Sequence, residues 1–352
     1  MTIQVGIILI NYKDYADKFL SDCINSIRQI AFPSGSYKVY IVDNESTPQT
    51  ESYLARIAPE ADIIIHKENI GFAAGNNTGV EVAVQDGCDF LYILNMDTVV
   101  DLNCLEAVWQ TYRSFDHVGC VQSRLMLHQA PQTINSLGNL LHFLGFGYSD
   151  RYKEKMTGNE VDREITYPSG AALFISVEHF LTLGGFNPEF FMYHEDVELG
   201  LKVKLSGLKN IISINSIVYH KYEFGRSIAK FYWMERNRFI TWLTTFKLAT
   251  LIVILPAAIV MELGLILYAI LGGWLGKKLK AYAWFLSFTN LKKVWRWRRQ
   301  MQCMRQVKDK AIVKSFVGRI LYQEEVNQPL LQKISNLIFN LYWLVVKKII
   351  FW

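Results

Sequence analysis

The first hundred residues alternate between two patterns, and that alternation restricts the fold more than any other feature. Four short, largely aliphatic or β-branched runs, Val5–Ile10, Lys38–Val42, Ile63–His66 and Phe90–Leu94, are each closed by polar or glycine residues. Helical patterns occupy Ala16–Ile30, Thr50–Ile57, Ala74–Val84 and Leu102–Tyr112. Strands that alternate with helices at this spacing form βαβ units and predict an α/β fold with a mostly parallel, doubly wound sheet. Ligands of such sheets bind outside the carboxyl ends of the strands, so the loops that follow the strands are where chemistry is expected.

Those loops are Asn11-Tyr12, Asp43-Asn44, Glu68–Gly75 and Asn95–Thr98. Asp43 either caps the next helix or faces a ligand. Asn69-Ile70-Gly71-Phe72-Ala73-Ala74-Gly75-Asn76-Asn77 is glycine-rich and leads into a helix, an arrangement that suits a phosphate. It matches neither GxGxxG nor a Walker loop, which counts against a dinucleotide dehydrogenase and an NTPase. Asn95-Met96-Asp97 sets an amide and a carboxylate on the same side of an extended chain, a hard-oxygen pattern for Mg²⁺ or Mn²⁺ beside a diphosphate. Further on, Gly184-Gly185-Phe186 precedes an aromatic run and then Glu195, Asp196 and Glu198 in the first turn of a helix. Three carboxylates exceed what a helix dipole needs, and a partly buried one can act as a general base. His220 closes the apolar run Ile211–Val218 and is either structural or a metal ligand paired with Asp97.

In this order, Asn-Tyr, Val-Asp-Asn, Asn-x-Gly-Phe-Ala-x-Gly-Asn-Asn, Leu-Asn-x-Asp-Thr, Gly-Gly-Phe with Glu-Asp-Val-Glu-Leu, and Tyr-His resemble the family-2 inverting glycosyltransferases of GT-A fold, most closely the bacterial rhamnosyltransferase-like branch. The resemblance covers about the first two thirds of the chain. It implies that Tyr12 packs on the nucleotide base and Asp43 accepts from the base ring NH. Asn69, Gly71, Phe72 and Asn76 match the loop that closes over the donor, and Gly170 belongs to the sugar pocket with Phe72 and Glu195. Asn95-Met96-Asp97 stands for the family's DxD motif with Asn in place of the first Asp, which leaves Asp97 as the main protein ligand of Mg²⁺ or Mn²⁺ and His220 as the second. Asp196 matches the catalytic base, and Glu195 orients a sugar hydroxyl. The implied reaction transfers a sugar, with L-rhamnose from dTDP-rhamnose favoured over a UDP-hexose or UDP-galactofuranose, to a lipid-linked saccharide acceptor in cell-surface polysaccharide synthesis. A sugar-phosphate nucleotidyltransferase would need a basic, glycine-rich loop after the first strand, and Asn11-Tyr12-Lys13-Asp14 is not one. A non-catalytic membrane scaffold is the other rival, opposed by the retention of Asp97, Asp196 and His220.

Charge is segregated. Residues 1–276 carry 21 Lys/Arg against 29 Asp/Glu, whereas residues 277–319 carry 13 Lys/Arg and one acid, Asp309, so the net +5 describes neither part. The N-terminal segment has no signal-peptide pattern, and five cysteines without a Cys-x-x-Cys spacing predict a reducing, cytoplasmic setting without a zinc site. Leu248–Gly276 has Glu262 as its single charge and Pro256 within it. That length is long for one crossing, and one crossing would place the following lysines outside. The sequence therefore predicts an apolar hairpin, 248–276, broken near Pro256 or Glu262, that dips into the cytoplasmic face of the membrane. A basic belt, 277–319, mixes cations with tryptophans and suits an anionic membrane surface rather than nucleic acid. Leu330–Trp352 reads as a further interfacial helix. The expected domains are a glycosyltransferase domain at 1–235, with a nucleotide-sugar half (1–100) and an acceptor and base half (101–235), and a helical membrane-association region at 236–352. An oligomer is compatible with all of this.

Overall fold

A computed structural model describes residues 2–221, 228–321 and 329–352. The chain runs β1 (Ile3–Tyr12), α1 (Tyr15–Ile27), β2 (Gly35–Asn44), α2 (Pro48–Ile57), β3 (Asp62–His66), α3 (Gly71–Gln85), β4 (Phe90–Leu94), β5 (Thr98–Val100) and α4 (Cys104–Ser114). It continues through β6 (Val118–Leu127), β7 (Ala130–Ser136), β8 (Asn139–Leu141), β9 (Gly147–Ser149), β10 (Arg163–Ile165), β11 (Ala172–Ser176), α5 (Val177–Thr182), α6 (Glu195–Leu205) and β12 (Lys209–His220). Helices α7 (Ile228–Thr245), α8 (Leu248–Leu271), α9 (Leu275–Trp284), α10 (Phe288–Cys303), α11 (Asp309–Val313) and α12 (Pro329–Ile349) follow.

The chain divides into two compact units: residues 1–139, 149–203 and 208–223, and residues 140–148, 204–207 and 224–352. The expected boundary at 235 falls within α7, all of which belongs to the second unit. Both expected domains also include residues, 222–227 and 322–328, that lie outside the described residues.

The first unit is built on a sheet ordered β10-β12-β6-β11-β4-β1-β2-β3, with β5 paired to β12 and β7 to β6. The β3-β2-β1-β4 half is parallel, and β11 runs antiparallel to both β4 and β6. Side chains alternate across each strand. Val5, Ile7 and Leu9 share a core with Leu20 and Ile24 of α1 and Leu54 of α2. The next residue, Ile8, faces the other way, where a methyl group built on Gly79 of α3 would stand 2.7 Å from Ile8 Cγ2. Helices thus cover both faces, and for that reason Val5–Ile10 reads as an unbroken aliphatic run. The register aligns the strand ends: Asn11 lies beside Asp43 and Tyr12 beside Asn44. Because β11 is antiparallel, its first residue, Ala172, sits opposite Leu94 at the end of β4. β12 and β5 pair so that His220 lies opposite Thr98.

The second unit is helical. The expected break near Pro256 or Glu262 does not occur: α8 is continuous from Leu248 to Leu271, and the chain turns at Gly272-Gly273 into α9. Proline removes one backbone donor from a helix. Beside this point the Tyr342 hydroxyl of α12 donates to Val253 O at 2.5 Å. Glu262 is no breaker either, since Arg238 Nη2 reaches its Oε1 at 2.6 Å and Lys278 Nζ its Oε2 at 2.8 Å. Arg238 and Lys278 also hold Glu235, at 3.0 and 2.5 Å, which closes a buried cluster of two cations and two carboxylates. Part of the basic belt turns inward as well. Arg298 donates to Leu243 O and, at 2.7 Å, to Phe246 O, while Gln302 donates to Thr244 O and Thr245 O at 2.9 Å and Arg305 to Thr245 O. These contacts satisfy the carbonyls that the end of α7 leaves without helical partners. α12 packs one face, Phe339, Trp343 and Val346, into the unit and exposes the other.

Candidate active site

β4 ends at Leu94, and Asn95, Met96 and Asp97 turn the chain into β5. Asn95 N–H donates to Ala171 O at 3.0 Å, and Asp97 O accepts Lys221 N–H at 2.8 Å, so the turn is tied to β11 on one side and to the end of β12 on the other. Asp97 Oδ1 then lies 3.2 Å from His220 Nε2. The other ring nitrogen, Nδ1, is 2.9 Å from Asn135 Oδ1 on β7. The ring thus bridges the amide of Asn135 and the carboxylate of Asp97, with donor and acceptor roles set by its tautomer and charge. An imidazole paired with a carboxylate fits a divalent cation. Burial pushes the Asp97 carboxyl up, but hydrogen bonds from His220 and Tyr15 and the attraction of His220 more than offset it and hold the group below its ordinary value. Among the described residues no group of three or more His, Cys, Asp and Glu converges on a metal-sized site.

Asn95 also leads to the acids. Ala171, its backbone partner, follows Gly170, whose N–H donates to Asp196 Oδ2 at 3.2 Å. Asp196 Oδ1 accepts Val197 N–H at 2.8 Å in the first turn of α6. A methyl group at Gly170 would lie 3.6 Å from Asp196 Cβ and 3.7 Å from Phe72 Cε1, so Gly170, Asp196 and Phe72 meet. Burial raises Asp196 to about 6 against the pull of those two N–H groups. Glu195 is 7% exposed, its Oε2 has no hydrogen-bond partner, and burial together with the Asp196 charge pushes it up to about 8. The loop before the pair is strained: Phe191, Tyr193 and His194 all have φ between 63° and 69°, a left-handed backbone that these side chains disfavour.

On the donor side, Tyr12 is 39% exposed at the end of β1, with Lys13 Nζ 5.1 Å from its ring centroid. Asp43, expected to accept from the base ring NH, lies at the end of β2. It is fully buried, with Oδ1 accepting from Asn11 Nδ2 at 2.6 Å and Oδ2 from the Thr50 hydroxyl at 3.0 Å, so it orders the strand-end loops from below. Gly71, Phe72 and Asn76, expected in the loop that closes over the donor, lie in the first turns of α3. At the α3 terminus, Asn69 Oδ1 accepts Gly71 N–H at 2.9 Å and Phe191 O accepts Ala73 N–H at 3.2 Å. Gly71 is required there, since its φ is +87° and a Cβ would stand 2.5 Å from Phe191 O. Asn76 is buried and donates to Phe72 O at 2.9 Å.

Sequence reasoning missed Asn135, Tyr15 and the second asparagine of Asn76-Asn77. Asn77 Nδ2 donates to Phe186 O at 2.8 Å and its Oδ1 accepts Phe186 N–H at 3.1 Å, which fastens α3 to the Gly-Gly-Phe turn. A side-chain amide beside a glycine-rich turn was the available signal. Asn135 had none, because only the β6–β7 pairing brings it near His220.

The sequence pattern of Glycosyl transferase family 2 matches residues 6–182, half of the chain. This chain belongs to glycosyl transferase family 2. Over 251 residues, 67% of the chain, the family member is 26% identical to the O-antigen biosynthesis protein RfbC of Myxococcus xanthus, 19% of which is covered. Over 204 residues, 56% of the chain, it is 22% identical to the low-salt glycan biosynthesis hexosyltransferase Agl10 of Haloferax volcanii, 61% of which is covered. The chain therefore spans about a fifth of the first relative and about three fifths of the second. Its fold is similar to a crystal structure described as GalNAc-T7 with UDP, GalNAc and Mn²⁺, with a TM-score of 0.56 at 12% identity over 69% of this chain and 48% of the other. The architecture is that of a GT-A glycosyltransferase. The family match ends before Asp196 and His220, which this fold brings to the ends of the matched strands.

Proposed function

We propose that this family-2 chain is a metal-dependent, inverting glycosyltransferase that moves a sugar from a nucleotide donor to a hydroxyl of a lipid-linked saccharide in glycan synthesis. The observation that carries the reading is the Asp97–His220 pair at 3.2 Å, tied by Asn95, Ala171 and Gly170 to Asp196. The relatives' names, O-antigen and glycan biosynthesis, and the UDP and Mn²⁺ of the structural neighbour support it. A dTDP-rhamnose donor is favoured by the motif resemblance, and a UDP-hexose or UDP-galactofuranose is the second choice. We read the second unit as a membrane-association region at the cytoplasmic face, where a lipid-linked acceptor is concentrated; the long apolar α8 supports that reading.

Asp97 and His220 would hold Mg²⁺ or Mn²⁺ with the donor diphosphate completing the shell, and the metal, when bound, neutralises charge on the departing nucleoside diphosphate. Tyr12 stacks on the base. Asp196 accepts the proton of the acceptor hydroxyl as that oxygen attacks the anomeric carbon opposite the leaving group, and one displacement inverts the configuration. Glu195, whose carboxyl is pushed up by burial and the neighbouring Asp196, orients a sugar hydroxyl through its unpartnered Oε2. A panel of nucleotide sugars, read as thermal stabilisation with and without Mn²⁺, tests the assignment. One donor is expected to raise the melting temperature only with the metal, and stabilisation by none contradicts the proposal.

A further inference from the structure

We infer that α8 and α12 form a two-helix raft that lies in the plane of one leaflet of an anionic bilayer, with α8 not crossing it; the inference rests on the membrane-face reading above. Leu248, Ile252, Leu255, Ile259, Leu263 and Leu267 form a continuous exposed stripe along α8, and Leu337, Leu341 and Leu344 continue it on α12. The two helices touch where Tyr342 donates to Val253 O. No charged side chain interrupts the exposed stripe of α8. So large an apolar face on a folded unit marks an interaction surface. The chemistry of the occupant follows from the surface of the same unit: on α10, Phe288, Leu291 and Trp295 are exposed among the exposed cations Lys292, Arg296 and Arg299. Interfacial aromatics interleaved with cations complement anionic lipid headgroups.

Orientation follows from the opposite face of α8. At 24 residues, or about 36 Å, the helix is long enough to cross a bilayer. Yet Thr250, Ile254, Ala257, Met261 and Ala269 are buried against the unit from the first turn to the last. Near one end Trp352 Nε1 donates to the Thr250 hydroxyl at 2.8 Å, and beyond the other Trp274 stacks on Phe231 at 4.5 Å. A crossing helix would carry these neighbours, and the Arg238, Glu235 and Lys278 charges around Glu262, into the hydrocarbon, where charges are costly. Lying flat, α8 sinks its stripe to the depth usual for interfacial helices and keeps the ionic cluster on the protein side.

The full chain with Cys303→Ser, carrying single substitutions Ile252→Cys, Ile259→Cys or Leu267→Cys labelled with bimane, is mixed with vesicles of phosphatidylglycerol and phosphatidylethanolamine containing lipids brominated at different depths. In-plane docking predicts the same shallow depth at all three positions, and at least tenfold weaker binding to phosphatidylcholine vesicles or after Lys292→Glu/Arg296→Glu. A depth profile that peaks at Ile259, about 10 Å below its neighbours, overturns the inference. Failure to bind anionic vesicles overturns it together with the membrane part of the proposed function, and leaves the donor chemistry to the nucleotide-sugar panel. Labels already shielded in a lipid-free dimer overturn it in favour of a second copy of the chain.

Discussion

His220 stands between two oxygens, with Nε2 3.2 Å from Asp97 Oδ1 and Nδ1 2.9 Å from Asn135 Oδ1. A hydrogen on Nδ1, donated to Asn135, would turn Nε2 toward the Asp97 side as a cation ligand, a positioning role for Asn135 that needs no contact with substrate. Asn135→Leu is expected to weaken Mn²⁺ binding about 10- to 100-fold by calorimetry, while Asn135→Asp retains it. Nitrogen NMR of the neutral ring reports the tautomer independently, with the hydrogen on Nδ1 predicted in the wild type.

Turnover should follow the Asp196 carboxylate. Burial raises this group to about 6, so activity rises with pH through that value and falls about tenfold per unit below it. A pH profile of kcat at saturating metal and donor checks this. In Asp196→Glu, which keeps a carboxylate but shifts its position, the acid limb should persist at reduced rate.

Stability runs the other way. Between the ordinary carboxylate range near pH 4 and about 8, folded Glu195 keeps a proton that the unfolded chain has released. Its contribution to stability is therefore greatest below that window and is lost as pH rises through it. Glu195→Gln removes the titration, and its melting temperature should exceed the wild type at pH 8 by more than it does at pH 5.

Gly71→Ala tests the junction of α3 with the strained loop. The added methyl would meet Phe191 O at 2.5 Å on a backbone of φ +87°. Thermal unfolding should show a loss of at least ~1 kcal/mol, and donor binding should weaken with it because Phe72 is displaced.

The parallel half of the sheet was legible because buried strands such as Val5–Ile10 and intervening helices such as Pro48–Ile57 carry distinct periodicities. Asp97, His220, Asp196 and Gly170 were legible as strand-end and helix-start residues, and the fold does bring them into two linked groups. For Asp43, a carboxylate after a strand reads alike whether it faces a ligand or supports its neighbours, and the contacts to Asn11 and Thr50 are what the fold adds. The start of α3 was hidden because Gly71 and Gly75 have low helix propensity, and contacts from Asn69 and Phe191 override it. Pro256 misled because packing of Ile254, Ala257 and Met261 into the unit carries α8 past it, which a local breaker rule does not register.

The measurement that bears most directly on the account is donor binding and turnover in Asp97→Ala and Asp196→Asn, each compared with wild type in Mn²⁺. Asp97→Ala is predicted to lose metal-dependent donor binding at least tenfold. Asp196→Asn should bind donor as wild type does yet lose about 10²- to 10⁴-fold in turnover. An Asp196→Asn enzyme that transfers sugar at near wild-type rate, or an Asp97→Ala protein with unchanged metal-dependent binding, would contradict it.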